Sequence, residues 1–249
     1  MNPVTITGLV GVPEVRPGDD LATIVLEACA ATGATLQDGD ILVVTHKIVS
    51  KAEGQLIDLR EVEPSDLARR HAERWDKDPR QIEIVLREAA RIVRMANGVI
   101  IAETAHGFVC ANAAVDASNV ASDFVCLLPQ DPDASAAALR AALRERTGLD
   151  VPVIISDSFG RAWRFGITNV AIGLSGLAPL ADYRGQQDGF GRTMHASVIA
   201  VADELAAAAE LVANKLDGRP IALIRGYAFT RAEGSGRELI LDPARDLFR

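Results

Sequence analysis

The sequence predicts a mixed α+β fold, an irregular α/β arrangement without a regular βαβ repeat. Short apolar runs with the length of buried strands are interleaved with longer amphipathic segments that have helix-capping residues at their ends. The two kinds of segment do not alternate strictly, as they would in a doubly wound parallel sheet. With 249 residues, of which 49% are hydrophobic, the chain is long enough to bury a substantial core.

The helices are predicted from capping residues and from apolar residues at helical spacing. Asp19 or Asp20 can cap the first helix, and Gly33 can end it, because glycine readily adopts the left-handed conformation of a helix C-cap. The predicted helices are residues 16–33, two polar amphipathic helices within 64–95 with a break near 76–79, residues 131–148, and residues 197–218, which are expected to form the longest helix.

The strands are predicted from short apolar runs bounded by turn residues. One stretch contains His106 and Gly107, where a turn is expected to join two strands. The predicted strands are residues 38–46, two strands within 98–116, and residues 123–129, 151–157 and 219–227.

Composition argues against several classes of partner. A net charge of −8 argues against nucleic acid, because phosphate binding is driven by a basic surface. No apolar run approaches the roughly 18 residues of a membrane span, and no secretory leader is evident, so we expect a cytoplasmic protein without a membrane partner. Cys29, Cys110 and Cys126 lack the spacing of metal ligands and are expected to be buried thiols.

Two of the polar stretches contain basic residues that can meet phosphate. The sequence has neither a P-loop nor a Rossmann glycine motif, so a phosphate site would need an uncommon arrangement. In THKIVSKAEG, Lys47 and Lys51 follow a strand, where an ammonium group can bind phosphate oxygens; the alternative is an exposed lysine pair at a strand end. Residues 182–195, rich in glycine and arginine, predict a binding or closing loop, or else a plain surface loop.

Asp116 and Asp157 each follow an apolar run, in NAAVDASNV and in VIISDSFGRAWRFG. Carboxylate and hydroxyl oxygens are ligands that Mg²⁺ and Mn²⁺ prefer, so these aspartates and Ser158 predict a divalent-cation site if the strand ends are neighbours. Arg161 can clamp anionic oxygens beside it. The alternatives are a local turn stabilised by Asp116 and a helix N-cap with a surface ion pair at Asp157.

Six ordered blocks across nearly the whole chain resemble the coenzyme F420-0:L-glutamate ligases, or F420 γ-glutamyl ligases. The blocks are VGVPEVRPGDDL, VVTHKIVSKAEG, HGFVCANAAVDASNV, SDSFGRAWRFGITNVAIG, DGFGR and VADELAAAAELV. The resemblance implies the α+β fold of that family, a homodimer, and one domain over residues 1–249 without the nitroreductase-like domain that some relatives carry. It also implies ligation of L-glutamate to F420-0, a deazaflavin with a lactyl phosphate, through an acyl phosphate. GTP would be the co-substrate and Mn²⁺ or Mg²⁺ the metal, and a monovalent cation such as K⁺ is a further candidate.

The resemblance assigns roles to particular residues. The implied nucleotide-binding residues are Val12, Pro13, Glu14, Val15, His46, Lys51 and Asn119. The implied metal ligands are Asp116 and Asp157 for a first metal and Ser158 for a second. The implied catalytic residues are Asp116, Asp157, Lys51 and Arg161. Candidates for binding the anionic deazaflavin substrate are Arg161, Arg164, Arg184 and Arg192.

The chain departs from the family pattern at two positions. His46 stands where members often have serine or another small polar residue, which leaves its nucleotide contact open. Lys215, in ELVANK, stands where archaeal members have a glutamine near the second metal. A charged lysine cannot ligate a cation, so either the second metal is weaker or the amine acts on phosphate.

Two rival functions follow from the same residues. A metal-dependent phosphohydrolase would use the same carboxylates with water in place of glutamate. A catalytically altered nucleotide-binding homologue would keep the site without turnover, and His46 and Lys215 keep that alternative open. A purely structural oligomer is disfavoured, because it would not need polar clusters at strand ends.

Overall fold

The computed structural model describes residues 3–246 and shows a mixed α/β protein with several sheets, in keeping with the predicted α+β class. The α-helices are α1 (Leu21–Thr32), α2 (His46–Ala52), α3 (Asp66–Trp75), α4 (Pro79–Glu88), α5 (Pro132–Thr147) and α6 (Val201–Ala213). The strands are β1 (Thr5–Gly8), β2 (Ile41–Thr45), β3 (Leu56–Asp58), β4 (Ala89–Ala96), β5 (Val99–Thr104), β6 (Val109–Ala111), β7 (Phe124–Cys126), β8 (Val153–Arg161), β9 (Arg164–Ser175), β10 (Ala181–Asp182), β11 (Val198–Ile199) and β12 (Ile221–Arg225).

The central sheet has the strand order β1-β12-β2-β8-β9 and is covered on both faces. Strands β2 and β8 run parallel, and the other neighbours are antiparallel. Leu42 and Val44 of β2 pack in the core formed with α1 and α5, whereas Ile41 and Val43 pack in the core formed with α6. Burial on both faces explains why β2 is a continuous apolar run rather than an alternating one.

A second layer lies beside the central sheet. Strands β4, β5 and β6 form an antiparallel sheet, in which Ile100 and Ala102 pack against Ala68 of α3 and Ile82 of α4. Strands β3 and β7 pair with each other, and Asp116 forms a bridge to Cys126 of β7. These pairings fix the start of the polar segment that follows Asp116.

The local signals for α1 are confirmed. The Asp20 side chain accepts hydrogen bonds from the backbone N–H groups of Ala22 and Thr23, and Gly33 ends the helix with φ 72°. Helix α5 ends at the predicted Gly148, which has φ 74°. The three cysteines are buried free thiols, as predicted.

Two helix predictions are wrong at their ends. The helix expected to reach residue 95 ends at Glu88, because the following residues pair with β5 as strand β4. Helix α6 has 13 residues and is shorter than α5, which has 16. Residues Val198–Ile199 pair with β10 instead of joining α6, and Asn214 leaves the helix with φ 53°. Within residues 3–246, no helix is long and apolar enough to cross a membrane.

Strand β8 does not end at Asp157 as predicted. It continues to Arg161 and returns as β9, so SDSFGRAWRFG forms the outer part of a long hairpin with Trp163 at its tip, at φ 56°. Asp157 lies opposite Val170 within this hairpin. The alternative that Asp157 caps a helix is therefore wrong.

Candidate functional site

A cavity of about 560 Å³, here called the main cavity, opens where the parallel pairing of β2 with β8 ends, at Thr45 and Ser156. Its walls are the segment 12–15, helix α2, the segment 116–119, the middle of the β8–β9 hairpin and the end of α6 with its connection to β12. The predicted site residues that line it are Val12, Pro13, Glu14, Val15, His46, Lys51, Asp116, Asn119, Asp157 and Ser158. Most of the predicted site is thus brought together in one place.

Helix α2 begins directly after β2 and carries the two lysines of the THKIVSKAEG stretch. Lys47 and Lys51 are one turn apart, so they lie on the same face of the helix. The Lys51 side chain is only 7% exposed, so the alternative of an exposed strand-end lysine pair is wrong. The helix has seven residues, and Thr45 at its N-cap makes no side-chain capping bond. The sequence therefore lacks the signal that would predict it.

Lys47 binds the segment that begins with Asp116. Its Nζ atom lies 2.7 Å from Asp116 Oδ2 and donates also to the carbonyl oxygen and hydroxyl of Ser118, at 2.9 and 2.7 Å. Asp116 Oδ1 accepts from the Ser118 N–H at 2.6 Å, which is the predicted local turn. Burial opposes ionisation of Asp116, but the hydrogen bonds from Lys47 and Ser118 outweigh it and lower the pKa of Asp116. The carboxylate therefore stays charged at neutral pH.

Lys51 connects the opposite wall to the same segment. Its Nζ atom lies 2.5 Å from Glu14 Oε1 in the segment 12–15 and 2.9 Å from the carbonyl oxygen of Asn119. The Glu14 side chain is 73% exposed, in contrast to the buried Lys51. These contacts leave one of the three N–H groups of the Lys51 ammonium for another acceptor.

Asp157 lies on the floor of the main cavity beside a buried histidine. Its Oδ1 atom is 3.3 Å from His46 Nε2, and it accepts the Ser158 N–H at 2.6 Å. The other ring nitrogen of His46, Nδ1, lies 3.2 Å from the hydroxyl of Ser50. His46 thus contacts a predicted metal ligand rather than only lining the cavity.

Two functional candidates were missed from the sequence, Asn169 and Glu210. Ser158 Oγ lies 2.6 Å from Asn169 Oδ1, and Asn169 Nδ2 donates to Glu210 Oε2 at 3.0 Å. Lys215 Nζ donates to the same Ser158 hydroxyl at 2.5 Å. Asn169 occupies the strand position opposite Ser158, so a prediction of the hairpin register would have identified it.

The arginines proposed from the sequence lie outside the lining of the main cavity. Arg161 and Arg164 are exposed near the hairpin tip, where Arg161 Nη2 donates to the carbonyl oxygen of Phe165 at 3.3 Å. Arg184 forms a bidentate pair with Asp182, and Arg192 is exposed in the same loop. The structure therefore separates Arg161 from the other predicted catalytic residues.

The donor set of the main cavity fits a hard divalent cation that shares its ligands with a substrate. Asp116, Asp157 and Ser158 offer carboxylate and hydroxyl oxygens to the same space. Among residues 3–246, no three His, Cys, Asp or Glu side chains converge into a cage that could hold a metal alone. Mg²⁺ characteristically binds through one or two carboxylates together with substrate phosphates and water, and this arrangement suits that mode.

Comparisons with known proteins identify the family of the chain. The family model described as F420-0:Gamma-glutamyl ligase matches residues 10–226. A protein of Methanopyrus kandleri named Coenzyme F420:L-glutamate ligase is 49% identical over 241 residues, covering 95% of this chain and 94% of its own. Proteins of the same name from Methanothermobacter thermautotrophicus and Haloarcula marismortui are 45% and 42% identical, covering 99% and 96% of this chain and 99% and 93% of their own. The chain belongs to the F420-0:γ-glutamyl ligase family.

Proposed function

We propose that the protein joins L-glutamate to coenzyme F420-0 through an acyl phosphate, using GTP and a divalent cation. The names of its relatives support glutamate ligation to F420. The observation that supports the nucleotide and the cation is a single cavity lined by the carboxylates of Asp116 and Asp157 and by the ammonium groups of Lys47 and Lys51. Oxygen ligands for a cation and donors for phosphate are the groups that phosphoryl transfer requires.

The chemistry explains why a nucleotide would be consumed. A carboxylate does not react with an amine at neutral pH, because its oxygen is a poor leaving group. In the first step a carboxylate oxygen of F420-0 bonds to the γ-phosphorus of GTP, the bond to the β-phosphate oxygen breaks, and GDP leaves. In the second step the glutamate amine bonds to the acyl carbon, inorganic phosphate leaves, and the amine proton passes to solvent. No side chain needs to form a covalent bond.

In this proposal one wall of the main cavity binds the nucleotide. The segment 12–15 and Asn119 hold the nucleoside, and the remaining N–H group of Lys51 donates to a phosphate oxygen. Glu14 is largely exposed, so its carboxylate can swing away as the phosphate arrives. The preference for guanine comes from the family resemblance.

Asp116 and Asp157 would hold a first Mn²⁺ or Mg²⁺, which would neutralise negative charge on the transferring phosphoryl group, and Ser158 lies at the position of a second metal. The side chains fix the position of the metal ion, and most of the rate enhancement comes from holding the reacting groups in position. A contribution from Arg161 requires the hairpin tip to bend toward the cavity, because that side chain is exposed away from it. Binding of a monovalent cation such as K⁺ is proposed from the family resemblance.

The proposal is tested by incubating the purified protein with F420-0, GTP, L-glutamate and Mn²⁺, and following the deazaflavin by mass spectrometry. A product heavier by one or more glutamyl units, with GDP released in step, supports the ligase. GDP without a heavier product, and without dependence on glutamate, would indicate the phosphohydrolase. Nucleotide binding with neither product would indicate a catalytically altered homologue.

We also propose that the protein is a cytoplasmic homodimer and forms one ligase domain over residues 1–249. The exposed apolar side chains of the β8–β9 hairpin support self-association. Trp163, Phe165 and Ile167 are 79, 106 and 59% exposed, and such a surface is typical of a protein interface.

A further inference from the structure

The connection between α6 and β12 places the ammonium group of Lys215 against a predicted metal ligand. Lys215 lines the main cavity, and its Nζ atom lies 2.5 Å from Ser158 Oγ. Ser158 directly follows Asp157. A positive charge is therefore fixed next to the position at which a divalent cation would bind.

The hydrogen bonds around Ser158 leave its hydroxyl oxygen free to accept from a donor. Glu210 can only accept hydrogen bonds, so the amide nitrogen of Asn169 must face it and the amide oxygen must face Ser158. Asn169 is 4% exposed, which fixes this orientation. The Ser158 proton then goes to Asn169, and the free lone pairs of Ser158 Oγ are left to accept from Lys215.

Lys215 differs from the other two lysines of the cavity in its partners. Lys47 and Lys51 each form an ion pair, with Asp116 and Glu14. No carboxylate in the described part of the chain forms an ion pair with Lys215, whose partner is the neutral hydroxyl of Ser158. Two of its three N–H groups are thus available to an anion in the cavity.

We propose that Lys215 is a catalytic residue of the phosphoryl transfer, and that its ammonium takes the place of a second divalent cation at Ser158. This inference rests on the proposed function. The transferring phosphoryl group carries charge on three oxygens, which are stabilised best by positive charge from more than one side. A cation held by Asp116 and Asp157 supplies one side, and Lys215 supplies the other. The enzyme then needs one divalent cation for each active site.

The test measures metal stoichiometry as well as rate. Mn²⁺ bound per chain is determined by equilibrium dialysis and elemental analysis, in the presence of a β,γ-imido analogue of GTP. We expect one Mn²⁺ in the wild type. In Lys215→Gln the ammonium is lost, the Ser158 hydroxyl becomes free to bind metal, and the introduced amide oxygen offers a further ligand, so we expect two. The rate at low Mn²⁺ falls about 100-fold, the effect of removing one charge-stabilising donor, and partly recovers as Mn²⁺ is raised.

Two further variants control the result. Lys215→Arg keeps the charge and should keep a stoichiometry of one. Lys77→Gln removes an exposed lysine after α3 and should match the wild type in both measurements.

Two Mn²⁺ in the wild type, or an unchanged stoichiometry and rate in Lys215→Gln, would overturn the inference. Stoichiometry does not depend on the acceptor. A wild type that binds one Mn²⁺ and cleaves GTP without extending F420-0 would therefore contradict the proposed acceptor, while a Lys215→Gln variant that gains the second Mn²⁺ would uphold the role of Lys215.

Discussion

His46 Nε2 lies 3.3 Å from Asp157 Oδ1, while its Nδ1 lies 3.2 Å from the hydroxyl of Ser50. His46 is 2% exposed and Ser50 is fully buried, so solvent does not compete for these contacts. Nδ1 and the Ser50 hydroxyl share a hydrogen bond, and the opposite ring nitrogen, Nε2, faces the Asp157 carboxylate. The buried ring therefore limits the orientations that the Asp157 carboxylate can adopt.

We predict that His46→Ala weakens Mn²⁺ binding about 10- to 100-fold, the usual effect of losing a group that orients a metal ligand. Titration calorimetry with Mn²⁺ and the GTP analogue measures the change. His195→Ala is the matched control, because His195 is exposed outside the main cavity. An unchanged Mn²⁺ affinity in a folded His46→Ala protein would rule out the orienting role.

Asp157→Ala should lower glutamate ligation by more than about 100-fold, because a metal ligand contributes several kcal/mol to stabilising the transferring phosphoryl group. The fold should persist, since Asp157 lies at the cavity surface and not in either central core. Mass spectrometry measures the loss of ligation, and circular dichroism shows whether the variant is still folded. Asp38→Ala, at an exposed turn, should behave as the wild type. Near-normal turnover in Asp157→Ala would show that Asp157 is not a metal ligand of the reaction.

The parts of the fold that the sequence predicts are those with local signals. Asp20 and Gly33 bracket α1 because a cap depends only on the adjacent turn. Helix α2 follows β2 directly and has no side-chain cap. Burial of most of its residues stabilises it instead. Residues 89–95 looked like a helix continuation, but pairing with β5 decides their conformation. Tertiary contacts therefore overrule local propensity at these two positions.

The residues of the candidate site also fall into those with a local sequence signal and those that only tertiary contacts bring together. Asp116 and Asp157 could be proposed because each follows an apolar run, although Asp157 turned out to lie within a strand. Asn169 and Glu210 could not be proposed from a local pattern. Ser158 is 11 positions from Asn169, and Asn169 is 41 positions from Glu210. Only the hairpin register and the packing of α6 on β9 bring them together.

The ion cluster at Asp150 predicts a pH dependence of stability. Arg140 Nε lies 2.7 Å from Asp150 Oδ1, and Arg231 Nη1 lies 2.8 Å from Oδ2. The hydrogen bonds from Arg140 outweigh partial burial and lower the pKa of Asp150 below its ordinary 3.8. A carboxyl whose pKa is lowered by folding contributes stability that is fully present above its unfolded pKa and is lost as the pH falls through its folded pKa.

Asp150→Asn should therefore lower the free energy of unfolding at pH 7, by about 1 kcal/mol for a partly exposed ion cluster. The difference from the wild type should shrink as the pH falls below 3.8. Urea unfolding at pH 7 and at successively lower pH measures it, with Asp38→Asn as the control. A difference that stays constant down to the acid transition would mean that charge is not its source.

The exposed apolar residues of the hairpin predict how the proposed homodimer forms. Ile167 lies on the same face of β9 as Asn169, since side chains alternate along a strand, and Phe165 is exposed beside it nearer the hairpin tip. We expect the double variant Phe165→Ser with Ile167→Ser to convert a dimer into a monomer, as measured by sedimentation velocity. Leu67→Ser on α3 also removes an exposed apolar side chain and should leave the dimer intact.

A monomeric wild type at micromolar concentration would contradict the dimer itself, and a dimeric double variant would place the interface elsewhere. An interface on the hairpin would also cover the mouth of the main cavity. Ile167 lines the main cavity one strand repeat from Asn169, so a second chain packed on this face would lie at the cavity mouth. Exclusion of water from that mouth would protect an acyl phosphate from hydrolysis. We therefore expect the monomeric variant to release more GDP for each glutamate that it joins.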